Sequence, residues 1–93
     1  MKVEVGKDAK SERAKSYMLE HPKVAYSTLM NALSGLENLE GDIRKLRGYK
    51  NVYRLSAPPF RIIFKYDKVN SIVLVTGFDT SEEAGGNNEN TDN

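Results

Sequence analysis

Apolar and polar positions alternate most regularly in the second half of the chain. Three runs, 51–56, 60–66 and 71–77, are rich in Val, Ile, Leu, Tyr and Phe. They are separated by Ala57-Pro58-Pro59 and Asp67-Lys68-Val69-Asn70, both of turn composition. Connections this short join neighbouring strands into an antiparallel meander. If the first turn sets Leu55 opposite Phe60, a side-chain period of two gathers Tyr53, Leu55, Phe60, Ile62 and Phe64 on one face. Lys50, Val52, Arg54, Arg61, Ile63 and Lys65 then share the other. One face is core and the other is basic.

The first half follows the helical period. Asp8 is a suitable N-cap for a helix running to about Glu20, with Ala9, Ala14, Tyr17 and Met18 as its few apolar positions. His21-Pro22 interrupts the chain, and proline suits the first residue of a second helix. There Tyr26, Leu29, Leu33 and Leu36 recur at spacings of three and four, the stripe of a helix packing on a sheet. Gly35 costs about 1 kcal/mol inside a helix, so the helix either runs through it or stops near Ser34 and leaves Leu36 and Leu39 in a connector. Lys2-Val3-Glu4-Val5 alternates like a short edge strand. Gly41 to Gly48 leads into the meander, read as a helical turn with Arg44, Lys45 and Arg47 toward solvent. The order is β-α-α-β-β-β, an α+β domain with two N-terminal helices on a small, mainly antiparallel sheet.

Length and composition narrow the picture. The chain has 93 residues, enough for one domain with a small core. It has no cysteine, hence no disulfide or thiolate zinc site, which agrees with a reducing cytoplasm. No apolar run reaches membrane-span length and no signal-peptide core is present, so a soluble cytoplasmic protein is expected. Charge is unevenly placed. All 14 Lys and Arg lie in residues 1–78 with eight of the 13 acids, a formal charge of +6, whereas Asp79, Glu82, Glu83, Glu89 and Asp92 leave 79–93 at −5. The segment 79–93 lacks apolar periodicity and is rich in Gly, Asn and acid. It is expected to be an acidic, disordered tail beside a domain at 1–78.

A basic body suggests an anionic partner. Between Ile43 and Lys68 the cations are Arg44, Lys45, Arg47, Lys50, Arg54, Arg61, Lys65 and Lys68, against one acid, Asp67. In the register above, Arg54 faces Arg61, and like charges opposed on a sheet destabilise it by a few tenths to about 1 kcal/mol. One reading places a nucleic-acid phosphate between them. The other is a different register, or two arginines fanned into solvent. No phosphate-binding loop, dinucleotide fingerprint, zinc spacing or nucleophile elbow occurs, so no metal and no cofactor is expected. The single histidine, His21, falls at a helix boundary and is read as structural.

Lys45-Leu46-Arg47-Gly48, Val52-Tyr53-Arg54-Leu55 and Phe60-Arg61-Ile62-Ile63-Phe64, followed by Ile72-Val73-Leu74-Val75 running into Gly77, together resemble the RelE/ParE superfamily of toxin-antitoxin toxins, specifically its RelE-like branch. The resemblance implies a toxin that cuts mRNA in the ribosomal A site, paired with a cognate antitoxin. It implies that Arg61 contacts the scissile phosphate with Arg54 beside it, and that Arg44, Lys45, Arg47, Lys50 and Lys65 contact RNA. RNA cleavage by 2′-hydroxyl attack does not need histidine where cations stabilise the pentacovalent phosphate. The chain departs from the pattern in three places. Ser56 stands where some members have a second lysine, Asp79 stands near a position commonly basic, and no tyrosine follows Tyr66. Those departures keep open a ParE-like gyrase inhibitor or a non-catalytic binding module of the same fold.

Overall fold

The alternating runs become the centre of a five-stranded sheet, in a computed structural model that describes residues 1–80. The elements follow in the order β1 (Lys2–Val5), α1 (Glu12–Glu20), α2 (Pro22–Leu36), β2 (Asp42–Lys45), β3 (Val52–Ala57), β4 (Phe60–Asp67) and β5 (Ile72–Thr80). Across the sheet the strands lie β1-β5-β4-β3-β2. The pairs β2–β3, β3–β4 and β4–β5 are antiparallel, and β1 adds parallel to β5 at the edge. The α+β architecture matches the expectation, with two helices on one face of a mainly antiparallel sheet.

The core forms where the apolar face of the sheet meets the helices. Phe60, Ile62, Phe64 and Val73 are fully buried against Ala14, Ala25 and Leu36. Each large apolar side chain removed from water in this way contributes about 1.5–3 kcal/mol. The Tyr17 ring meets Phe60 edge-on at 5.4 Å, and Tyr53 stacks on Phe64 at 5.6 Å. A bulge in the β4–β5 ladder inserts Thr76, so that Ile63 faces Gly77 while Phe64 faces Val75. That extra residue keeps Val73, Val75 and Phe78 on the helix side and sends Leu74 and Asp79 to the open side.

Several expectations are corrected. β3 runs through Ala57 and the turn contracts to Pro58-Pro59, so Leu55 pairs with Ile62 and Ala57 with Phe60. Arg54 therefore faces Ile63 on β4 and Arg44 on β2, while Arg61 faces Ser56. The shift is two residues, which preserves both faces. The stretch read as a helical turn after Gly41 is the strand β2. Gly41 adopts φ 124°, and a Cβ there would lie 2.7 Å from a Leu55 methyl, so the sharp entry into β2 depends on glycine.

The first helix starts later than expected. Its N-cap is Ser11, whose hydroxyl accepts from the Ala14 N–H at 3.1 Å, in place of Asp8. The chain first runs along β5, where Lys10 bridges Phe78 and the Ser11 N–H reaches the Phe78 carbonyl at 2.9 Å. The second helix passes through Gly35 to Leu36. Glu40 folds back, donating its N–H to the Gly35 carbonyl at 2.8 Å, and a Cβ at Gly35 would stand 3.0 Å from the Glu40 oxygen. Tyr26, assigned to the buried stripe, is 69% exposed, and the inward position at the start of the helix is Ala25. Asp79 and Thr80, placed by composition at the head of the acidic tail, are the last residues of β5. The rest of that expected tail, 81–93, lies outside the described residues.

Candidate nucleic-acid interface

The face of the sheet away from the helices carries most of the predicted site. Strand alternation places Asp42 and Arg44 of β2, Arg54 and Ser56 of β3, Arg61, Ile63 and Lys65 of β4, and Leu74 and Asp79 of β5 on it. Two rows cross its centre. One reads Arg44, Arg54, Ile63, Gly77, and the next reads Asp42, Ser56, Arg61, Asp79. Arg54 and Arg61 are thus diagonal neighbours, close enough for both guanidinium groups to reach one phosphate. Both are half-buried, while Arg44 and Lys65 at the margins are exposed.

The directly opposed like charges are Arg44 and Arg54. Asp42 lessens their repulsion by approaching the Arg44 Nε at 3.6 Å. Among the described residues Arg54, Arg61 and Lys65 form no ion pair, which leaves their charge available to an anion. Lys45 falls on the helix side, opposite Tyr53. Arg47 and Lys50 sit in the turn between β2 and β3, around a shallow hollow shared with Lys45 and Tyr49. The open face thus unites Arg44, Arg54, Arg61 and Lys65, the β2–β3 turn at its end holds Arg47 and Lys50, and Lys45 lies on the opposite face.

Sequence reasoning did not foresee the surroundings of Asp79. Its carboxylate accepts from the Ser11 hydroxyl at 2.6 Å, from an Arg13 guanidinium N–H at 2.8 Å and from the Thr80 N–H at 2.8 Å. The hydrogen bond from Arg13 is the largest cause holding its pKa down, to about 2. Partial burial opposes this, and Ser11, the Thr80 N–H and the Arg13 charge add to it. The folded pKa lies below the ordinary 3.8, so the interaction stabilises the fold above about pH 4 and is lost as pH falls through about 2. With a side chain 34% exposed, the contribution after solvent screening is about 1 kcal/mol. Asp79→Asn is expected to cost that much at pH 7 and almost nothing near pH 2. Urea unfolding of both proteins across this range checks it, and an equal deficit at both ends would exclude a role for the charge.

His21 remains on the helix side, its ring 4.6 Å from Tyr17 and its N–H capping the Tyr17 carbonyl. Among the described residues no group of three His, Cys, Asp or Glu side chains is placed to hold a metal. No described helix is long and apolar enough to cross a membrane.

This arrangement, two N-terminal helices on one face of a mixed five-stranded sheet with a cationic open face, is the RelE-like fold. The fold is shared with a chain of the toxin-antitoxin complex RelBE2 from Mycobacterium tuberculosis, at a TM-score of 0.59 and 10% sequence identity, over 85% of this chain and 95% of that one. No protein-family model and no curated relative matches the sequence.

Proposed function

We propose that this protein is the toxin of a toxin-antitoxin pair and acts as a ribosome-dependent mRNA endonuclease, binding RNA on the open face of its sheet. The observation that carries this reading is the diagonal placement of Arg54 and Arg61 at the centre of that face, with Arg44 and Lys65 beside them. In 2′-hydroxyl attack on the adjacent phosphate, negative charge accumulates on the non-bridging oxygens of the pentacovalent intermediate. Two guanidinium groups fixed on neighbouring strands stabilise that charge without reorganising. Arg47 and Lys50 extend the cationic track along the strand ends, with Lys45 on the adjoining helix-side edge, where phosphate contacts set position without reading bases.

A second reading rests on Asp79. A carboxylate held at a pKa of about 2 is a weak base at neutral pH, and no tyrosine follows Tyr66 to replace it. This favours a binding inhibitor of the same fold, such as a ParE-like gyrase inhibitor. Induced expression followed by mapping of mRNA 5′ ends separates the two. New ends within translated messages support the nuclease. Growth arrest without new ends, together with inhibition of gyrase supercoiling by the purified protein, supports the inhibitor.

The proposed antitoxin carries acids that cover the basic face, and an apolar surface for the rest of its contacts lies on the helix side of the sheet. Between β1 and the two helices lies an apolar groove of about 430 Å³, bordered by Val5, Met18, Tyr26, Leu29, Met30 and Phe78, with Lys10 at its margin. Val5, Tyr26 and Met30 are 47%, 69% and 51% exposed, an unusual cost for a small domain standing alone. Residues 81–93 contain a single apolar side chain, Ala84. An amphipathic antitoxin segment, apolar toward the groove and acidic toward Lys10, fits its chemistry.

A further inference from the structure

Arg13 occupies a position that helix stability does not explain. It lies in the first turn of α1, at the positive end of the helix dipole, where a cation costs about 0.3–1 kcal/mol. Asp79 offsets that cost from β5. The β4–β5 bulge turns Asp79 to the open side, directly across from Arg61, and its carboxylate holds both the Ser11 hydroxyl and the Arg13 guanidinium. The segment entering α1 is itself bonded along β5 at Phe78. A helix that otherwise packs on the apolar side therefore delivers one cationic head to the rim of the opposite face. The Arg13 side chain is 60% exposed there.

We propose that Arg13 is a further phosphate-contacting residue of the open face, positioned beside Arg61 by Asp79 and Ser11. The inference rests on the reading of that face as an RNA interface, and it extends the interface past the edge of the sheet onto α1. Asp79 acts here as a positioning residue. Its negative charge is directed onto Arg13, so removing it loosens the guanidinium more than it relieves repulsion of the ligand. A simple electrostatic view gives the opposite sign, because an acid beside a phosphate site weakens binding.

The test is binding of a short oligouridylate to the full chain over a range of salt concentrations. Removing one cation that neutralises a phosphate lowers the slope of log affinity against log salt by about 0.7 for a single strand. Arg13→Gln is expected to lower the slope by about that amount, as is Arg61→Gln. Asp79→Asn is expected to weaken binding about threefold to tenfold, although it makes the protein more cationic. Tighter binding by Asp79→Asn would overturn the proposal. A slope reduced by Arg61→Gln and unchanged by Arg13→Gln would overturn it while leaving the RNA interface standing, whereas no change from either would remove the interface itself. Thermal melts establish that each variant is folded. If Arg13→Gln is not, Arg13→Ala, the better helix former, carries the same test: a slope lowered by about 0.7 supports the proposal and an unchanged slope overturns it.

Discussion

Replacing Arg61 by alanine is expected to lower RNA cleavage by about 10²–10³-fold and to move the folding free energy by no more than about 0.5 kcal/mol. The two halves of this expectation come from opposite faces of β4. Ile62 and Phe64 point into the core and supply the burial that holds the strand. Arg61 points the other way, faces Ser56 and Asp79, and makes no ion pair among the described residues. In the proposed mechanism its removal deletes a donor to the reacting phosphate, and in the fold it leaves no buried group unsatisfied. Lys23→Ala is the control, since that side chain is exposed on α2, away from the open face. Single-turnover cleavage on programmed ribosomes and urea midpoints measure the two quantities. A rate within threefold of the parent protein would remove Arg61 from the catalytic set, and a stability loss above about 2 kcal/mol would make its role structural.

Tyr26→Glu is expected to weaken the proposed antitoxin complex by about 2 kcal/mol, a roughly thirtyfold rise in Kd. The ring stands 69% exposed at the border of the apolar groove, the placement of an aromatic anchor that becomes buried only on binding. Glutamate removes the apolar area and sets a charge against a segment proposed to carry acids. Because Ala25 is the buried neighbour, the fold of α2 does not depend on Tyr26, and the melting temperature should change by only a few degrees. Titration calorimetry supplies the Kd, with the proposed antitoxin sought as the product of a reading frame beside this one. Unchanged affinity would place the antitoxin elsewhere.

The faces of the sheet were legible in the sequence because alternation is a local property. Tyr53, Leu55, Phe60, Ile62 and Phe64 share the core side as their spacing dictates, and Arg54, Arg61 and Lys65 share the other. Register was not legible, since a shift of two residues preserves every face. Only the length of the Pro58-Pro59 turn decides which arginines oppose. β2 escaped notice because Asp42-Ile43-Arg44-Lys45 carries one apolar residue, and its pairing with β3 makes it a strand. The Ser11 cap, with Glu12 opening the helix, was visible in principle. Asp8 competed for the role until the pairing of Lys10 with Phe78 settled it. Of the candidate residues, Arg54, Arg61 and Lys65 could be grouped on one face from alternation alone, whereas Arg44 joined them only through the pairing of β2 with β3. Arg13 was not legible, because its relevance depends on Asp79, which is far away in sequence and is turned to the open side by a bulge.

The parallel pairing of β1 with β5 also governs when the molecule is complete during its own synthesis. Lys2 finds its partner only at Ile72, and the start of α1 finds its at Phe78 and Asp79. The first strand made must therefore wait for the last, a long-range closure that slows folding relative to the local hairpins between them. A nascent chain still short of Ile72 can form the β3–β4 hairpin with its arginines, but lacks the strand that joins that hairpin to β1 and the carboxylate that captures Arg13. Interrupted translation then yields fragments that carry Arg44, Arg54, Arg61 and Lys65 without the strand that closes the sheet.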